Sequence, residues 1–82
     1  MIQNLVQLVD TIIENGNFKS ESINPNDFEK HIKHNFDLCK KGDKTGPSRL
    51  IYTAVVVLAN NGEKEISQKY ARRFENEIRL NI

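Results

Sequence analysis

Tryptophan is absent from this chain of 82 residues, and cysteine occurs once, at position 39. A single thiol closes no internal disulfide, so the fold must rest on burial and hydrogen bonding alone. Long apolar runs are also missing. The longest is Ala54 to Ala59, far short of the roughly 20 residues that a membrane-spanning helix needs. The opening stretch, MIQNLVQLVD, lacks the basic start and extended apolar core of a secretory signal. A cytoplasmic protein without an integral membrane segment is therefore expected. Aromatic residues make up only 7% of the chain, and both tyrosines fall in apolar patterns, which leaves little with which to stack nucleic-acid bases.

Net charge is nearly absent as well, at +1, but its distribution is uneven. Residues 1–29 hold five acids against Lys19 alone, a formal −4, and residues 30–82 hold eleven basic and six acidic side chains, a formal +5. Such polarity can orient a charged partner across about 10 Å of ordinary salt, or it can bring two ends of one fold together. The chain is long enough for one domain, residues 1–82, burying roughly 60 to 65% of its unfolded surface. An enzyme-sized pocket would take much of that core.

The few glycines and prolines punctuate four segments, at ENGN, SINPND, KKGDKTGP and NNG. In the first segment Ile2, Leu5, Val6, Val9, Ile12 and Ile13 recur at helical spacing, and Asn15–Gly16 suits a helix end. The second begins with Asn24 as cap, Pro25 at the first helical position, and Ile23 with Phe28 as a hydrophobic staple, and is expected to run to about Lys41. The third, beginning near Pro47, carries Leu50, Ile51, Ala54, Val55, Val57 and Leu58 over most of its circumference, as a central helix would. Its β-branched run Val55–Val57 leaves a strand over residues 50–59 as the competing assignment. In the last, Ile66, Tyr70, Phe74 and Ile78 step by four beside Ala71. The expected fold is all-α, a small antiparallel four-helix bundle.

Both histidines and the cysteine lie within HIKHNFDLC. At 100° per residue, Cys39 joins Phe28, Ile32, Asn35 and Phe36 on one side of the second helix, about 140° from His34. Zinc needs three or four converging ligands, and neither a His pair four apart nor a CxxC knuckle is present, so no metal site is expected. Ser20, Ser22, Ser48 and Ser67 have no nucleophile elbow or acid–base partner, and GDKTGPS is not in phosphate-loop order. No catalytic residue, enzyme activity or cofactor is expected.

Binding remains. The acidic set Asp10, Glu14, Glu21, Asp27 and Glu29 could imitate phosphate in a basic cleft. The basic set divides between Lys40, Lys41, Lys44 and Arg49 around the third helix start, and Lys69, Arg72 and Arg73 on the fourth. Arg73 with Glu77 and Glu75 with Arg79 stand four apart and can pair locally. A helix-turn-helix regulator would use VVVLANNGEKEISQKYARRF, with Ser67, Gln68 and Arg72 toward base edges.

A helix opened by GPSRL, carrying Tyr52, closed by NNG and followed by a basic amphipathic helix resembles the back half of the immunity proteins that protect producers of pediocin-like bacteriocins. The resemblance covers residues 46–79. It implies a cytoplasmic antiparallel four-helix bundle without cofactor or enzymatic activity, acting through a protein partner. Helical immunity proteins of contact-dependent growth inhibition systems share this length and absence of chemistry. The expected function is thus an antidote to a cognate bacterial toxin, with a nucleic-acid-binding regulator as the alternative and a structural adaptor as a third reading.

Overall fold

The computed structural model describes residues 4–78. Four helices run through them: α1 (Leu5–Asn15), α2 (Pro25–Lys40), α3 (Thr45–Asn60) and α4 (Lys64–Glu77). No strand occurs among the described residues, and Val55–Val57 is helical. Burial on several sides outweighs the modest helix penalty of three β-branched side chains. Ile2 and Arg79, placed on helices by the periodicity, lie outside the described residues.

Local chemistry sets most helix ends. Asn4 Oδ1 accepts the amides of Val6 and Gln7 at 2.8 and 3.3 Å, which satisfies two otherwise orphaned donors of α1. Gly16, at φ +66°, closes the same helix with its N–H on the Ile12 carbonyl. Asn24 caps α2 through the Asn26 amide at 3.0 Å, with Pro25 beginning the helix. Ile23 and Phe28 are both partly buried against the core.

α3 begins two residues before Pro47, at Thr45. Pro47 tolerates this because it occupies the first turn, where no backbone N–H is needed. The preceding residue is Gly46, which lacks the Cβ that would clash with a proline ring in helical conformation.

α3 and α4 pack together, and each touches both remaining helices, while α1 and α2 do not touch. α1 and α2 therefore lie on opposite sides of the α3/α4 pair, like two corners of a rhombus. The segment between them, residues 16–24, crosses the α3–α4 turn, where the Lys19 amide donates to the Asn60 carbonyl at 2.7 Å. Phe18 lies against Gly62, whose φ of +84° and lack of a side chain leave room for the ring.

The shared core takes Leu5 and Val9 from α1, Ile32 and Phe36 from α2, Ile51, Val55 and Leu58 from α3, and Tyr70 and Phe74 from α4. Leu50 departs from its expected place and is 48% exposed. Three helices cover α3, and the uncovered stripe holds Arg49, Leu50 and Thr53. Cys39 is buried, with Sγ 3.5 Å from the hydroxyl of buried Ser48, so it joins α2 to α3.

Candidate functional site

The acidic set divides into carboxylates held by the fold and carboxylates standing free of it. Glu29 belongs to the first group. The Tyr70 hydroxyl, on a fully buried ring, donates to Glu29 Oε2 at 2.7 Å, and Lys69 and Lys33 place their ammonium groups 3.7 and 3.9 Å from the same oxygen. The Tyr70 hydrogen bond, helped by the two lysines, holds the Glu29 carboxyl below its ordinary value against an opposing contribution from desolvation. Burial and the Glu29 hydrogen bond push the Tyr70 phenol up to about 12. Asp10 is held on the other flank of α4, where Gln68 Nε2 donates to its Oδ1 at 3.3 Å. Glu14, Glu21 and Asp27 are exposed.

The five acids therefore do not form one unbroken face. α4 lies between α1 and α2, and its exposed Lys69 and Arg72 stand between Asp10 on one side and Glu29 on the other. Acidic and basic side chains alternate over this part of the surface.

The basic set also divides. Arg73 pairs with Glu77, Nε to Oε2, at 3.0 Å, and its guanidinium lies 4.3 Å from the centre of the Phe36 ring. Stacking on an aromatic face while pairing with a carboxylate leaves that arginine little freedom. Lys40, Lys41, Lys44 and Arg49 are exposed around the α2–α3 turn. Glu75 accepts the Leu5 amide at 2.7 Å and so caps α1 from 70 residues away, while its expected partner Arg79 lies outside the described residues. Its negative charge also lies favourably at the positive end of the α1 dipole.

Two of the three residues assigned to base contact in a helix-turn-helix are engaged within the fold. Ser67 is fully buried and donates to the Glu63 carbonyl at 2.6 Å, and Gln68 is the partner of Asp10. Of the three, Arg72 alone is exposed.

His31 and His34 are both exposed, whereas Cys39 faces the core. Asn35 donates to the His31 carbonyl at 2.8 Å and lies 3.3 Å from the ring nitrogen Nε2. Among the described residues no three His, Cys, Asp or Glu side chains converge as metal ligands.

Sequence reasoning missed the α4 partners of the acidic set. Tyr70 reads as a core aromatic from its spacing, and nothing local connects it to a carboxylate 41 residues earlier. Gln68 and Asp10 are 58 residues apart. No family model, curated protein or solved structure matches this chain.

Proposed function

We propose that this chain is an immunity protein, an antiparallel four-helix bundle that neutralises a cognate bacterial toxin in the cytoplasm by covering it. The antiparallel arrangement is supported by the short turns between α2 and α3 and between α3 and α4, each joining helices that touch. The observation that carries the functional reading is the fixed placement of Glu29 and Asp10 by side chains of α4, with Glu14, Glu21 and Asp27 exposed. Carboxylates already held in one geometry lose little freedom when a partner docks. Against the basic cleft of a nuclease toxin they would occupy positions that phosphates otherwise take.

A nucleic-acid regulator fits less well. Ser67 is buried in the bundle, Gln68 donates to Asp10, Arg73 is paired with Glu77, and the exposed Lys69 has Glu29 within 3.7 Å. A phosphate backbone approaching α4 would meet carboxylates as well as cations.

The test begins with capture of partners from a nuclease-treated native lysate at about 0.5 M salt, where long-range attraction is screened to a few ångströms. The captured protein is then expressed alone and together with this chain. Growth arrest by the partner, relieved by co-expression, is the expected result. Joint Glu14→Lys and Asp27→Lys substitutions should remove the relief, and Arg72→Glu should leave it. Binding that disappears with nuclease treatment, or relief that depends on Arg72 and not on the acids, would sink the proposal.

A further inference from the structure

A groove of about 520 Å³ opens between the α2–α3 turn and the end of α4. Phe36 and Cys39, both buried in the core, form its floor, and Lys40, Gly42, Lys44, Glu77 and Ile78 surround it. The volume falls within the roughly 300–1,000 Å³ of small-molecule sites, and the mainly apolar lining with a few polar groups is the usual composition of such sites.

Charge around the groove is one-sided. Lys40 and Lys44 are exposed cations on its margin. Among the described residues the only carboxylate lining it is Glu77, and Arg73 pairs with that group at 3.0 Å. Asp43 belongs to the same turn but does not line the groove.

The backbone has the same asymmetry. The carbonyls of Asp37, Leu38 and Cys39 at the end of α2 accept the amides of Lys41, Gly42 and Asp43, so most of the negative end of that helix is satisfied within its own turn. α3 begins directly after Lys44, and its first turn has neither a side-chain cap nor an acidic residue. Its positive end therefore adds to the potential of the two lysines.

We propose that this groove binds an amphipathic anion, a linear aliphatic carboxylate whose chain lies over Phe36 and Cys39 and whose head group meets Lys40 and Lys44. The chain takes its own apolar surface out of water, and the head group pairs with Lys40 and Lys44, for which no carboxylate partner occurs among the described residues. A neutral ligand would leave those charges unmatched, and a cation would be repelled. The site is separate from the acidic set assigned to toxin binding.

The test is an NMR titration of the full chain with sodium decanoate below its micelle concentration, following backbone amides. Decanol serves as the uncharged probe, and phosphatidylglycerol vesicles represent a lipid surface. Saturable shifts centred on residues 40–46 and 77–78, with decanol weaker by roughly ten-fold or more, are expected. Joint Lys40→Glu and Lys44→Glu substitutions, at exposed positions, should weaken decanoate by roughly ten-fold or more with an unchanged helical spectrum. Lys41→Glu, outside the groove lining, should weaken it by clearly less than the joint Lys40 and Lys44 substitutions do. Equal binding of decanol and decanoate, absence of saturation, shifts scattered over the surface, or a response to vesicles alone would overturn the proposal.

Discussion

Replacing Tyr70 with Phe removes one hydroxyl and keeps the ring that packs 6.1 Å from Phe36, centre to centre. The variant therefore isolates the hydrogen bond to Glu29 from the packing around it. Hydrogen bonds to charged groups contribute about 1.5–3 kcal/mol. Glu29 retains 24% of its side-chain exposure, so water can replace the lost donor, and the lower end, about 1.5 kcal/mol, is the expected cost at neutral pH. For a domain of this size that is a fall in Tm of roughly 6–12 °C.

The cost should depend on pH in a stated direction. Folding lowers the Glu29 pKa from an ordinary value of 4.5, first through the Tyr70 hydroxyl and then, against desolvation, through Lys33 and Lys69. The corresponding stability is complete above the unfolded pKa and is lost as pH falls through the folded one. The gap between wild type and Tyr70→Phe should therefore narrow from pH 7 to about pH 3. At the alkaline end the sign reverses. Folding raises the Tyr70 phenol from 10.0 to about 12, so stability present below the ordinary value is lost as pH rises through that interval. The Phe variant lacks this loss. Urea unfolding followed by circular dichroism at several pH values measures both limbs. A variant as stable as wild type at pH 7, or one equally destabilised at pH 3 and pH 7, would refute the assigned role of the hydrogen bond.

Three further outcomes follow from burial and backbone geometry. Leu58→Ala should cost about 2–5 kcal/mol, because the side chain is fully buried, whereas Leu50→Ala at a 48% exposed site should change stability by no more than about 0.5 kcal/mol; comparable urea midpoints would contradict the packing. Gly62→Ala should destabilise by about 1–3 kcal/mol, since φ is +84° and the added Cβ would lie 3.3 Å from the Phe18 ring. Pairing it with Phe18→Ala should recover only the steric part, and full recovery in thermal melts would mean that the backbone is unstrained. Glu75→Gln should loosen the start of α1 by about 0.5–1 kcal/mol, more at low salt, and amide exchange at Leu5 should accelerate; an unaltered rate would rule out the cap.

Much of the architecture was legible because its causes are local. Asn4 and Asn24 cap within their own first turns, Gly16 ends α1 in the left-handed conformation, and the apolar spacings of α2 and α4 select the faces that the core receives. Cys39 could be assigned to the interior from its angle to Phe36 and Ile32 alone. The start of α3 was less legible, because Pro47 reads as a first-position signal until Gly46 is seen to make an earlier start sterically acceptable.

Neighbour choice belongs to the tertiary structure. Periodicity says which face of a helix is apolar, but not which helix will cover it, so the separation of α1 from α2 and the exposure of Leu50 had no signature in the chain. The same holds for the candidate site. A carboxylate cannot show from its own surroundings in sequence that a tyrosine 41 residues later will donate to it, or that a glutamate will cap a helix 70 residues away. Helix formation is decided over three or four residues, by hydrogen bonds and side-chain direction within one turn. Charge placement is decided by which helices come into contact, and only the packed fold brings Glu29, Tyr70 and Lys69 together.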